Sequence, residues 1–310
     1  MELMSDVLIF PGQGSQKIGM GKSLYDNFAV AKEVFDRADE ALGFSLSNLM
    51  FEGNQDELNK TSNAQPAIMT ASLAYFEVMK NLGLIDTDSV KFMAGHSLGE
   101  YSALCAAGAL SIENTVKLLQ ARGAAMMDAC LKEKGLMAAV IGLDFDTVKQ
   151  IADDSGCFVG NSNSPAQIVI SGSEQTVQNA CEKAKAAGAK RALVLPVSGA
   201  FHSPLMQSAA DTMSEVIKNT RFTEPQIKVV SNLTAQAYTS VEEIKELLIR
   251  QITHTVKWQE SVVYMHQNGG SRFIEVGFGN ILTGLVKKIL PEVSVVTSEE
   301  ILQNVGAVSE

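Results

Sequence analysis

Long apolar runs are missing from this 310-residue chain, and that absence is the first constraint. Its most apolar stretches, Asp6-Val-Leu-Ile-Phe10 and Val90-Lys-Phe-Met-Ala94, are strand-length. A membrane span needs about 18 or more consecutive apolar residues, so none is expected. The start, Met1-Glu-Leu-Met-Ser-Asp6, lacks the basic and apolar regions of a secretory leader. Cysteine is scarce: Cys105, Cys130, Cys157 and Cys181 stand about 25 residues apart with no CxxC pair. That spacing fits neither a disulfide framework nor a zinc site and points to a reducing, cytoplasmic setting. Basic charge is also short, with 25 Lys and Arg against 35 Asp and Glu and a net charge of −10. Nucleic-acid binding depends on basic surface to displace counterions, so no nucleic-acid partner is expected. Any anionic ligand would need a local cation to offset the global field.

What is present is apolar content of 46%, enough to bury a sizeable core. Short β-rich runs alternate with longer helical stretches, which predicts an α/β protein. Strands are read at 6–10 and 90–94, and helices at 27–42, 61–82, 98–109 and 115–131. The rhythm then changes to strand 137–142, helix 145–152, strands 157–160 and 167–170, helix 174–187 and strand 191–197. In order this is a βαββαβ unit, a ferredoxin-like subdomain in itself, with Asn161-Ser-Asn-Ser-Pro165 read as the hairpin turn. The larger rhythm resumes with helix 204–218, strand 227–230, helices 241–252 and 258–267, strand 272–276 and helix 281–290. The expected organisation is a large subdomain at 1–129 and 199–310 carrying a small one at 130–198.

Gly95-His-Ser-Leu-Gly99 matches the G-x-S-x-G elbow, which holds a nucleophilic serine on a tight strand-to-helix turn. The strand before it and the small-residue helix after it supply the context the motif requires. An oxyanion formed over Ser97 would meet the unpartnered N–H groups of that helix start. Leu98 N–H is the natural first donor, and the Pro11-Gly-Gln-Gly14 turn can bring the Gln13 backbone as the second. Serine needs a base. Of His96, His202, His254 and His266, the best candidate is His202, which precedes Ser203-Pro204 at a predicted helix start. A helix N-terminus disfavours an imidazolium and leaves the ring able to accept a proton. His96 is expected beside the elbow, and the other two at helix ends or on the surface.

Arg122 lies on an apolar stripe with Leu118, Leu119, Ala125 and Met126 at helical spacing. A buried guanidinium is expected to meet a carboxylate, either an internal one or that of a substrate.

These residues together resemble the malonyl-CoA:acyl carrier protein transacylases. The likeness is carried by Phe10-Pro-Gly-Gln-Gly-Ser-Gln16, Gln65-Pro-Ala67, Gly95-His-Ser-Leu-Gly-Glu-Tyr-Ser102, Arg122-Gly123, Asn163-Ser-Pro165, Val197-Ser-Gly-Ala-Phe-His202 and Glu275-Val-Gly277. It runs along essentially the whole chain. The resemblance implies an α/β-hydrolase-like core with the inserted ferredoxin-like subdomain and an active site between them. It implies that Ser97 takes a malonyl group from malonyl-CoA as an ester and passes it to the phosphopantetheine thiol of acyl carrier protein. His202 would act as base and then acid, oriented by the Gln251 backbone carbonyl in a dyad without an acidic third member. Gln13 and Leu98 would form the oxyanion hole. Arg122 would bind the malonyl carboxylate, with Phe201, His96, Met126 and Asn163 completing the substrate-binding set. A bulky Phe201 would crowd the α-methyl branch of methylmalonyl. No tightly bound cofactor is implied, since coenzyme A and phosphopantetheine enter as parts of substrates. Lys190, Arg191, Lys287 and Lys288 are candidate contacts for phosphates or an acidic carrier protein.

Three other readings remain open at this level. A Ser-His thioesterase or esterase would share the elbow but not require Arg122. A carrier-binding subunit without catalysis would lack the acyl-enzyme. An acyltransferase of a polyketide pathway would share everything, although a chain without linkers favours the dissociated fatty-acid system.

Overall fold

A computed structural model describes residues 5–197 and 199–307. The first four residues of the leader reading, Ser198 of the 197–202 motif and the last three residues lie outside the described residues.

Ten strands are described in chain order: β1 (Asp6–Phe10), β2 (Val90–Gly95), β3 (Leu136–Ile141), β4 (Phe158–Ser164), β5 (Gln167–Gly172), β6 (Arg191–Val194), β7 (Val229–Val230), β8 (Val256–Lys257), β9 (Arg272–Glu275) and β10 (Ser294–Thr297). They form two five-stranded sheets, giving an α/β fold. The first sheet has the order β10-β9-β1-β2-β7 and is parallel throughout. Its central strand β1 is buried at all five positions. A strand covered on both faces reads as a continuous apolar run, as Val7, Leu8, Ile9 and Phe10 do. Strand order reverses on either side of β1, and parallel sheets bind ligands beyond the carboxyl ends of strands at such a point. The turns after β1 and β2 are the Gln13 turn and the Ser97 elbow.

The second sheet has the order β6-β3-β5-β4-β8 and is antiparallel except where β4 meets β8. Helices Phe145–Ser155 and Glu174–Ala186 bury Val148, Ile151, Val177 and Ala180 against it. Strand β8 comes from far downstream, and Thr255 Oγ1 donates to Val159 O at 2.6 Å, so residues outside 130–198 help close this sheet.

Several expectations need correction. The Asn161–Ser164 stretch is not a turn: it is the second half of a buried β4, and only Pro165 and Ala166 turn. Polar residues are tolerated there because other elements supply partners, His96 for Asn163 and Glu260 for Ser162. The helix expected at 27–42 begins at Ala29 after an extended Phe28, and a separate short helix, Lys22–Asn27, precedes it. The expected helix at 204–218 begins as a 3-10 turn at Pro204–Met206 before Gln207–Asn219. Strands β8 and β10, and helices Leu46–Glu52, Gln55–Asn59 and Ser298–Asn304, were not foreseen. No helix among the described residues is long and apolar enough to cross a membrane.

Candidate active site

Ser97 sits between β2 and helix Gly99–Ala106 with φ 55°, a left-handed conformation that costs a non-glycine residue about 1–3 kcal/mol. The flanking glycines make the turn possible. A Cβ on Gly95 would lie 1.9 Å from the Gly99 carbonyl carbon, and one on Gly99 would lie 2.2 Å from Phe10 O. Asn232 clamps the turn from outside: its Oδ1 accepts from Ser97 N at 2.7 Å, and its Nδ2 donates to Gly95 O at 2.7 Å.

His202 also has a positive φ, 57°, which aims its ring back at the elbow. Its Nδ1 lies 2.8 Å from the Gln251 backbone carbonyl, which can only accept, so Nδ1 carries the proton. Nε2 is then the free lone pair, and Ser97 Oγ donates to it at 2.8 Å. Burial first, and the Arg122 charge second, push the imidazole down to about 3. The neutral ring was expected, but for a different reason. Ser203 does not cap the following helix turn; its hydroxyl donates to Ala200 O at 2.6 Å, and burial rather than a helix end suppresses the cation. His254 and His266 bond backbone carbonyls near helix ends, Arg250 O and Gly270 O, as anticipated.

Arg122 is 1% exposed on helix Ile112–Lys132. Of the two carboxylate partners expected, an internal one is absent from its contacts among the described residues. Its partners are neutral: Nη1 donates to Gln65 Oε1 at 2.7 Å, and Nη2 to Gln251 Oε1 at 2.8 Å and Ser97 Oγ at 3.1 Å. Its charge stands unneutralised beside the nucleophile, and burial lowers its pKa. The nearest carboxyl in this chain of contacts is that of Glu100, one amide away. Glu100 is fully buried, and its Oε2 accepts from Gln251 Nε2 at 2.6 Å. Asn232 N and Tyr238 OH donate to its other oxygen. Desolvation raises this carboxyl to about 7 against the pull of those donors and of Arg122.

A cavity of about 180 Å³ opens over Ser97 between the two sheets. Of the ten residues singled out from sequence, nine line it: Gln13, His96, Ser97, Leu98, Arg122, Met126, Asn163, Phe201 and His202. The tenth, Gln251, is buried behind it against His202 and Arg122. Leu98 and Gln13 N–H find no acceptor among the described residues. His96 Nε2 is fixed by Asn163 Oδ1 at 2.8 Å, and its ring meets the Trp258 indole edge-on. Met126 Sδ accepts from Gln65 Nε2 at 3.5 Å.

At the cavity mouth, Lys288 Nζ donates to the Gln167 side chain at 3.2 Å. Gln167, which lines the cavity, pairs with Ile141, and Ile141 pairs in turn with Arg191 on the next strand. Among the described residues no cluster of His, Cys, Asp or Glu is placed to hold a metal.

Sequence reasoning missed Asn232, Tyr238 and Glu100. Glu100 alone left a signal, the one charged residue in the helix that follows the nucleophile.

The description "Acyl transferase domain" matches residues 7–306. The malonyl CoA-acyl carrier protein transacylase of Bacillus subtilis (strain 168) is 47% identical over 286 residues, covering 91% of this chain and 89% of the relative. The chain belongs to the malonyl CoA-acyl carrier protein transacylase family. The Escherichia coli (strain K12) transacylase is 41% identical over 91% of this chain and 92% of its own. The acyl-carrier-protein S-malonyltransferase of Bartonella henselae superposes with TM-score 0.93 at 43% identity, covering 98% of this chain and all of the other. A further transacylase structure, a type II PKS acyl-carrier protein in complex with its malonyl-transacylase, matches with TM-score 0.92 at 38% identity over 97% of this chain and 99% of that one.

Proposed function

We propose that this acyltransferase moves a malonyl group from malonyl-CoA to the phosphopantetheine thiol of acyl carrier protein, through an ester on Ser97. The observation that carries this reading is the Arg122 guanidinium, charged, buried and 3.1 Å from Ser97 Oγ, with no carboxylate in contact with it among the described residues. A pocket for a neutral acyl group gains nothing from such a cation. The acidic end of malonyl supplies the missing partner in a bidentate pairing. An apolar cavity of about 150 Å³ accepts a six-carbon ring, so about 180 Å³ suits the six heavy atoms of malonyl.

In the first half-reaction Ser97 Oγ attacks the thioester carbon while His202 Nε2 takes its proton. The oxyanion is held by Leu98 and Gln13 N–H. Collapse breaks the C–S bond, and His202 returns the proton to the coenzyme A thiolate. The second half-reaction reverses these roles: His202 deprotonates the carrier thiol, which attacks the ester, and Ser97 Oγ recovers the proton. Gln251 O stabilises the imidazolium that forms between. Phe201, buried at the cavity wall, limits space for an α-branch; one methylene is worth about 1–3 kcal/mol in such a pocket, so the preference over methylmalonyl is marked but finite. His96, Met126 and Asn163 shape the remaining wall.

The same reading assigns the architecture: an α/β-hydrolase-like core built on the parallel sheet, at 1–129 and 199–310, with a ferredoxin-like subdomain at 130–198. The strand order β6-β3-β5-β4 and its antiparallel pairing support it. No resident cofactor is required, because both thiols arrive on substrates. Lys190, Arg191, Lys287 and Lys288 form the rim for an acidic carrier protein or coenzyme A phosphates, in a cytoplasmic enzyme serving fatty acid or polyketide synthesis. Incubation with malonyl-CoA and holo carrier protein tests the proposal. Malonyl carrier protein should form faster than free malonate; mostly malonate would make the protein a hydrolase.

A further inference from the structure

The fully buried Glu100 takes no part in the chemistry above, yet it ends a chain of contacts that begins at the nucleophile. Gln251 Nε2 has two hydrogens, and both are committed to acceptors: Glu100 Oε2 at 2.6 Å and Ser97 O at 2.9 Å. The amide oxygen must then face the other way, where it accepts from Arg122 Nη2 at 2.8 Å. A flipped amide would set its oxygen against a carboxylate and a carbonyl, and its NH2 against a guanidinium. Three mismatches make the flip prohibitive. The far end of the guanidinium is braced by a second amide oxygen, Gln65 Oε1 at 2.7 Å.

We propose that Glu100 is a positioning residue for the acyl carboxylate: by locking the Gln251 amide, it fixes the Arg122 guanidinium beside Ser97 while leaving its charge open. This inference rests on the malonyl reading of Arg122. The interposed amide is what makes the arrangement useful. A carboxylate touching Arg122 directly would neutralise it and compete with substrate, whereas an acceptor one amide removed orients the guanidinium through the Gln251 hydrogen bonds and leaves it free to pair. The general base is held separately, since Gln251 O belongs to the end of helix Val241–Gln251 and not to the side chain. Loss of Glu100 therefore acts on the carboxylate anchor more than on proton transfer.

The test compares Ser97 acylation by malonyl-CoA and by acetyl-CoA, with KM and kcat for each, in Glu100→Gln and Glu100→Ala, alongside thermal melts. For malonyl, kcat/KM should fall about tenfold or more, mainly through KM, because a hydrogen-bonded charged anchor is loosened. Acetyl kcat/KM should stay within about threefold. Equal losses for both acyl groups in a folded variant would reduce Glu100 to a brace for the Asn232 and Tyr238 loop and overturn the inference. If neither variant folds, Tyr238→Phe removes one donor to Glu100 and decides the matter: the malonyl to acetyl ratio should fall by a smaller factor, and an unchanged ratio would contradict the proposal. Arg122→Ala in the same assay separates this inference from its foundation. An unchanged ratio there would sink the malonyl reading itself, whereas a changed ratio there with none in the Glu100 variants would sink only the positioning role.

Discussion

Ser97 and Arg122 are hydrogen-bonded to one another, Nη2 to Oγ at 3.1 Å, so the group that would anchor an acid acyl chain touches the atom that would carry it. Arg122→Ala should lower kcat/KM for malonyl transfer roughly 30-fold or more, the equivalent of about 2 kcal/mol for losing one partner of a buried charge pair. Acetyl transfer should gain relative to it. The measurement is the ratio of the two rates in one preparation, and an unchanged ratio would remove the anchor role.

The pH dependence follows from His202. The neutral ring is the active form, and burial with the Arg122 and His96 charges lowers its pKa from 6.5 towards about 3. Activity is lost as pH falls through that value, so the acid limb must lie below 6.5. Acetyl-CoA is the substrate for this profile, because its transfer does not call on Arg122 and the residues behind it. A limb at or above 6.5 would mean that His202 is not buried as described.

Two glycines make opposite predictions. A Gly99→Ala methyl would sit 2.2 Å from Phe10 O, a backbone atom that cannot yield without moving β1, so stability should drop by about 2 kcal/mol or more. Gly284 lies on the exposed face of helix Ile281–Ile289 with open space where a Cβ would go, and Gly284→Ala should stabilise by about 0.5–1 kcal/mol. Denaturant melts of both decide; a silent Gly99→Ala would contradict the elbow packing.

The proposed basic rim predicts that Lys287→Glu with Lys288→Glu raises KM for carrier protein while leaving the rate of Ser97 acylation at saturating malonyl-CoA nearly unchanged. The wild-type KM should also rise with salt, since exposed charge pairing is screened. A carrier-protein KM indifferent to both changes would place the docking surface elsewhere.

The elbow was legible because its demands are local. Gly95, Ser97 and Gly99 solve a steric problem within five residues, and the apolar runs at 6–10 and 90–94 announce buried parallel strands. Arg122 was legible through its neighbours in sequence, whereas the helix-start argument for His202 reached the right residue although burial is what keeps it neutral. The clamps were not: Asn232 reaches Ser97 across 135 positions and Tyr238 reaches Glu100 across 138, with no periodicity to signal either. The same cause explains the misread 161–164 stretch. Four polar residues look like a turn until His96 and Glu260, from other elements, are seen to satisfy Asn163 and Ser162. Strand β8, two residues long, is stabilised by its pairing with β4 and carries no pattern of its own.

The most direct measurement is intact-protein mass spectrometry after brief exposure to malonyl-CoA without acceptor. One malonyl group should appear on the native chain, map to Ser97, disappear when holo carrier protein is added, and be absent in Ser97→Ala. A native chain that turns over with no acyl adduct, or a Ser97→Ala variant that still acquires one and transfers it, would contradict the account.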